Sequence, residues 1–185
     1  MILSASRRTD LPAFYAEWFM NRVRAGFCQV PNPLRRSQVA RVSLDPAEVD
    51  AIVFWTRNPL PLLPHLEELD HRGLRYVFLM TVLGYPSALD PGCLRLEPAV
   101  EAFQRLAGRL GPERVAWRYD PVLLSPDTPA DWHRRRFADL ARRLEGHTRR
   151  CQLSLVDLYP KIRPRLRDLE GTDHHFGTNP MDEEL

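Results

Sequence analysis

The residues best equipped for chemistry stand in short polar phrases that follow apolar runs. They are Ser6-Arg7-Arg8-Thr9-Asp10, Trp55-Thr56-Arg57-Asn58-Pro59, Thr81 to Tyr85, Trp117-Arg118-Tyr119-Asp120-Pro121 and Asp157-Leu158-Tyr159. Side chains alternate along a strand, so Trp55 and Arg57 share a face, and so do Arg118 and Asp120. An arginine cannot serve as a base, because its pKa lies above about 12; its use is to fork onto a carboxylate or phosphate oxygen. The aspartates Asp10, Asp120 and Asp157 can carry protons or bind a hard cation. Trp55, Trp117, Tyr119 and Tyr159 can stack on a flat ligand. Together these residues point to a pocket for a small planar anion. Asp120, Arg118 and Asp10 are its candidate catalytic groups, and Arg7, Arg8, Trp55, Arg57, Asn58, Tyr119 and Asp157 its candidate ligand-binding groups.

Each candidate also has a structural reading. Asp10 two residues before Pro12 is an ordinary helix N-cap, and Asn58-Pro59 is another. Arg118 and Asp120 equally fit an ion pair, with each other or with Arg8, that needs no ligand. The arginines at 134 to 136 and 142 to 143 read as a solvated helix face. No metal site built on imidazoles is expected. His65, His71 and His133 fall on predicted helices, His147 in a loop and His174-His175 in the tail, none at a strand end. There is no GxSxG nucleophile elbow either.

The phrases are positioned by a regular alternation of apolar runs with stretches of helical period. Ile2 to Ser6 is the first strand, followed by one helix whose Tyr15, Trp18, Phe19 and Val23 share a face. Phe27 to Val30 and Val39 to Leu44 alternate like a hairpin inserted after that helix. Strands Ala51 to Thr56, Arg75 to Leu83, Arg114 to Leu124 and Cys151 to Leu158 follow. The first three lead into helices carrying Leu62, Leu66 and Leu69; Val100, Phe103 and Leu106; and Phe137, Leu140 and Leu144, the last opened by Thr128-Pro129. A weaker helix spans Lys161 to Leu169. About five βα units in series predict a parallel sheet with right-handed crossovers. The turn after the first strand has no glycine, which argues against a dinucleotide-binding open sheet. A closed eight-unit barrel needs about 250 residues. The expected fold is therefore a partial TIM-like (β/α) barrel over 1–171, with a polar, frayed tail over 172–185.

The chain has 185 residues, 44 % hydrophobic and 27 % charged, with a formal net charge of +2. Those proportions exclude disordered and fibrous classes, and the near balance removes any strong pull toward nucleic acid or an anionic membrane. All but one of the 26 basic residues are arginine, Lys161 being the exception. Three cysteines without a CxxC make neither a disulfide framework nor a metal motif, so a reducing cytoplasm is expected. No apolar run approaches the length of about 20 residues that a membrane helix needs.

The phrases Ser4 to Tyr15, Val53 to Pro59, Trp117 to Pro121 and Leu155 to Tyr159, in that order, resemble an uncharacterised bacterial and archaeal family, the domain of unknown function numbered 1848. The resemblance runs from residue 1 to about residue 170. Longer members end in a cysteine cluster similar to that of radical S-adenosylmethionine enzymes, which implies a [4Fe–4S] cluster and S-adenosylmethionine for them on a related partial barrel. Nothing after Cys151 is cysteine here, so the resemblance leaves the cluster ligands missing, as in a truncated or split member. The expectation is a radical-S-adenosylmethionine-type barrel binding a small ligand at its strand ends. Two alternatives stand beside it: a non-catalytic barrel that binds phosphate or nucleic acid through arginines, and a carboxylate-metal isomerase or hydrolase using Asp10, Asp120 and Asp157.

Overall fold

A computed structural model of the chain describes residues 1–6, 8–87 and 89–156. Arg7, Asp157, the expected helix from Lys161 and the tail lie outside the described residues. Strand β1 (Ile2–Ala5) leads to helices α1 (Leu11–Phe14) and α2 (Ala16–Ala25), then to the hairpin strands β2 (Phe27–Pro31) and β3 (Val39–Ser43). There follow β4 (Ala51–Thr56), a 3₁₀ turn (Leu63–His65) with α3 (Leu66–His71), β5 (Tyr76–Thr81), α4 (Leu96–Leu110), β6 (Val115–Val122), α5 (Ala130–Arg143) and β7 (Cys151–Leu155).

The hairpin forms its own antiparallel pair, and the other strands make one parallel sheet in the order β1-β4-β5-β6-β7. Its register carries Leu3 beside Ile52, Ile52 beside Tyr76, Phe78 beside Val115 and Trp117 beside Cys151. Those residues form one face. Right-handed crossovers between strands taken strictly in sequence all fall on the same side, and the contacts bear this out. Phe19 of α2 meets Phe54 edge-on, the Tyr76 hydroxyl of β5 reaches the Leu66 carbonyl of α3, and Phe137 of α5 stacks on Trp117. Ile52, Phe54, Phe78, Met80 and Trp117 are almost wholly buried there with Phe103 and Leu106 of α4. Each such side chain contributes about 1.5 to 3 kcal/mol of apolar transfer.

The opposite face is different in kind. Ser4, Val53, Trp55, Val77, Leu79, Ala116, Arg118 and Asp120 alternate with the core residues; Ser4 is exposed and the others are only partly buried. No described helix packs across them. Among the described residues β1 and β7 are the two edges, they do not pair, and the barrel is not closed.

Two local expectations are corrected. The first helix breaks at Tyr15, where the backbone turns to φ −134°. The inward face therefore restarts as Ala16, Phe19, Met20 and Val23, leaving Tyr15 and Trp18 at 50 % and 46 % exposure. Thr128 is not the cap of α5, which starts after Pro129. Its hydroxyl is buried and donates to the Leu123 carbonyl, 2.8 Å away, tying the loop down from inside.

Candidate ligand-binding site

The C-terminal ends of β1, β4, β5 and β6 meet at one rim, and Asp10 fastens the first two. One of its carboxylate oxygens caps α1 by accepting from the Ala13 amide at 3.0 Å, and it also accepts from the Thr56 hydroxyl at 2.7 Å. The other oxygen accepts from the Arg57 amide at 2.7 Å. With three donors converging on it, Asp10 holds the β1 turn against the end of β4. Ser6 completes that turn at φ +80°, a left-handed conformation that costs a non-glycine residue roughly 1 kcal/mol, and its hydroxyl accepts from the Leu11 amide. Asn58 caps the next turn, its side chain accepting from the Leu60 amide at 3.1 Å.

Arg118 lies at the centre of the uncovered face. Its guanidinium donates to the Thr81 hydroxyl at 3.2 Å, pairs with Asp120, and lies over the Trp55 ring with its carbon 4.6 Å from the ring centre. Asp120 also accepts from Ser154 of β7. The pair is 21 % and 18 % exposed, so it sits in the wall of the sheet and not on open surface. Burial, together with the neighbouring Arg57 cation, pushes the Arg118 guanidinium down from its ordinary value. It remains a cation at any working pH, and a second anion beside it is favoured.

Two donors here are left over. The Trp55 indole N–H and the Arg118 Nε are both shut off from solvent and have no hydrogen-bond partner among the described residues. Buried N–H groups are nearly always paired, and one left unmet costs about 1 to 3 kcal/mol. The register explains how the two come together: Trp55 stands beside Leu79, and Arg118 beside Thr81. Both are on the same face, two residues apart along the central strand β5.

Beside this centre, Arg57 pairs with Asp90 and lies 3.5 Å from the Cys93 sulfur, which in turn donates to Asp90 at 3.2 Å. Burial and the Asp90 carboxylate raise the Cys93 thiol, so it is held protonated. Tyr85 closes the far side, donating to the Pro121 carbonyl at 2.8 Å, accepting from the Leu123 amide at 2.7 Å and stacking on Trp132. The preceding Gly84 has φ +70°, and a Cβ there would meet Leu96 Cδ1 at 2.8 Å.

Not all the expected residues converge. Trp55, Arg118, Asp120 and, next to them, Arg57 do. Tyr119 does not: it faces the helices, its hydroxyl bonds His133 Nδ1 at 2.8 Å, and burial pushes it up to about 12. Arg8 turns outward and donates to the Pro31 carbonyl of the hairpin at 2.9 Å. Thr81 opens one of the polar phrases of the sequence, whereas Ser154, Asp90 and Cys93 are site neighbours that no phrase marked. Thr81 and Ser154 are recoverable from strand register alone; the loop pair Asp90 and Cys93 carries no periodicity that would reveal it.

An iron-sulfur cluster does not fit the cysteines of this structure. Cys28 lies in the hairpin, Cys93 at the strand-end rim and Cys151 at the opposite, N-terminal end of β7. Three thiolates so placed cannot meet on one cluster. Among the described residues no group of three or more His, Cys, Asp or Glu is placed to hold a metal ion, and no helix is long and apolar enough to cross a membrane.

The model of the family described as Domain of unknown function (DUF1848) matches residues 2–184. That range takes in 172–184, which the sequence phrases leave outside the resemblance, so the tail is part of the family's extent. No curated protein and no solved structure matches the chain.

Proposed function

We propose, for a chain that belongs to the family of the domain of unknown function DUF1848, that it binds a small anionic ligand on the uncovered sheet face, against Trp55 and Arg118. The fold reading that accompanies this is a five-unit segment of a (β/α) barrel, supported by the strictly sequential strand order with helices on one side only. In a barrel the uncovered face is the interior, and ligands enter at the C-terminal strand ends.

The observation that carries the reading is the pair of buried donors, Trp55 Nε1 and Arg118 Nε, that have no partner among the described residues. Arg118 spends its other nitrogens on Thr81 and Asp120, so an incoming carboxylate or phosphate oxygen can take Nε without breaking the ion pair. One face of Trp55 already carries the guanidinium, which favours an acceptor-rich anion over a ligand sandwiched on the indole. A reaction, if the site performs one, would use Asp120 as its proton acceptor. The thiols do not support a step through a cluster, and none is proposed.

Thermal denaturation with inorganic phosphate, citrate and adenosine monophosphate tests the reading. At least one of these anions should raise the melting temperature of the wild type, and Arg118→Met should lose the response. No stabilisation by any of the three, or an equal response in the variant, would remove the proposal.

A further inference from the structure

A second cavity, which reaches the turn after β1 but is not lined by Trp55 or Arg118, lies between the hairpin and the β1 edge of the sheet. It has a volume of about 390 Å³, a size typical of small-molecule sites. Leu3 and Ile52 from the sheet, Leu11 and Phe19 from the helices, and Val30 and Val42 from the hairpin form its walls. A two-stranded hairpin is not stable by itself in water. The ladder of this one runs on to the Leu44 amide and the Gly26 carbonyl at the end of α2, and the clasp from Arg8 to Pro31 ties it to the turn after β1, so that it spans the cavity like a flap.

The charge in this cavity is one-sided. Arg8 and Arg22 are among its lining residues, and among the described residues no carboxylate is. Arg8 is engaged with the Pro31 carbonyl. Arg22 is not engaged: its Nε is shut off from solvent with no hydrogen-bond partner among the described residues. The exposed arginines of the same helix surface behave otherwise, as Arg24 shows by pairing with Glu68 at 2.6 Å. Because no acceptor among the described residues holds the Arg22 Nε, turning the guanidinium into the cavity gives up no hydrogen bond at that nitrogen and presents the fork that matches a carboxylate. A phosphate dianion is more heavily hydrated and would need more donors than one free arginine supplies.

We propose that this cavity binds an elongated apolar monocarboxylate, its chain lying between hairpin and sheet and its carboxylate on Arg22. The walls provide for the chain and the arginine for the head group. Cys28 of β2 lines the same space, which makes its thiol a built-in reporter of occupancy.

Hexanoate, octanoate and decanoate are titrated by calorimetry, with octanol as the uncharged control. Affinity should rise roughly three- to fourfold per added methylene, and octanoate should bind at least about tenfold tighter than octanol. Saturating octanoate should slow alkylation of Cys28 by iodoacetamide, read by peptide mass spectrometry, while Cys93 and Cys151 are unaffected. Arg22→Gln should weaken octanoate by about tenfold or more and leave octanol unchanged. Should that variant fail to fold, the octanoate and octanol comparison on the wild type decides alone. Equal binding of acid and alcohol, no binding at millimolar concentrations, or binding that leaves Cys28 unprotected would each overturn the assignment.

Discussion

Two tryptophans on opposite faces of one sheet allow the unpartnered-donor argument to be tested without any ligand. Replacing Trp117 or Trp55 by phenylalanine makes the same chemical change. The surroundings predict different outcomes. Trp117 is 2 % exposed and donates its indole N–H to the Val82 carbonyl at 2.9 Å. Phenylalanine is smaller by roughly 40 Å³, and at about 24 cal/mol per Å³ of residual cavity that costs about 1 kcal/mol. The Val82 carbonyl is also orphaned, at about 1 to 3 kcal/mol more. Trp117→Phe should therefore destabilise by about 2 to 4 kcal/mol.

Trp55 has no acceptor to orphan among the described residues. Removing its N–H relieves an unmet desolvation of about 1 to 3 kcal/mol. Against that stand less than 1 kcal/mol for the smaller ring at a half-buried position and about 0.5 kcal/mol for a weaker contact with the Arg118 cation. Trp55→Phe should come out between neutral and about 1 kcal/mol more stable. The two variants should thus differ by at least about 2 kcal/mol, or roughly 4 to 8 °C in melting temperature for a chain of this size. Urea unfolding followed by far-ultraviolet circular dichroism is the right assay, since both changes disturb the fluorescence. If Trp55→Phe loses as much stability as Trp117→Phe, the Trp55 N–H has a partner, and the basis of the rim proposal is gone.

Arg118→Met leaves the Asp120 carboxylate with Ser154 alone and should cost about 2 kcal/mol; adding Asp120→Asn should recover at least half, and a neutral single variant would show the pair to be merely solvated. Asp10→Ala removes the acceptor of three donors and should cost about 2 to 3 kcal/mol, whereas Asp10→Asn, which keeps an acceptor oxygen, should cost about half; equal losses would contradict the positioning role. His133 is buried between the Tyr119 hydroxyl and the Leu123 carbonyl, and burial lowers its imidazole. As pH falls, the unfolded chain takes up the proton first, near the ordinary value of about 6.5, so this group's contribution is complete above about pH 7 and is lost below. His133→Gln should flatten the decline in stability between about pH 7.5 and 5.5, and an unchanged slope would refute the assignment.

The strands were legible because a parallel strand covered by helices must be apolar at every second position, and Ile52, Phe54, Tyr76, Phe78, Trp117 and Tyr119 are. The same parity marks the one site residue that sequence adjacency misplaces. Tyr119 lies between Arg118 and Asp120 in the chain, so it falls on the other face whatever the strand's partners are. Reading a polar phrase as a unit grouped three residues, where a period of two separates the middle one. The helix break at Tyr15 was not legible in this way. Nothing in its helical spacing forbids continuation, and the break depends on how Asp10 anchors α1 to β4.

Arg22 shows the deeper limit. On the sequence it is one of many arginines on an amphipathic helix, two residues from Arg24, and solvent is the default environment for such a side chain. Its burial arises because the hairpin, the only antiparallel pair among the described residues, folds back over α2 and β1 instead of joining the sheet. Local pattern can predict that a hairpin forms, since alternation and turn chemistry are local. Where it docks is set by contacts outside its own two strands, such as Arg8 to Pro31. Three buried guanidinium Nε groups, Arg22 under the hairpin, Arg118 on the open face and Arg136 beside Trp132, are therefore set apart by what the tertiary fold withholds from them, an acceptor among the described residues, and not by anything in their neighbouring residues.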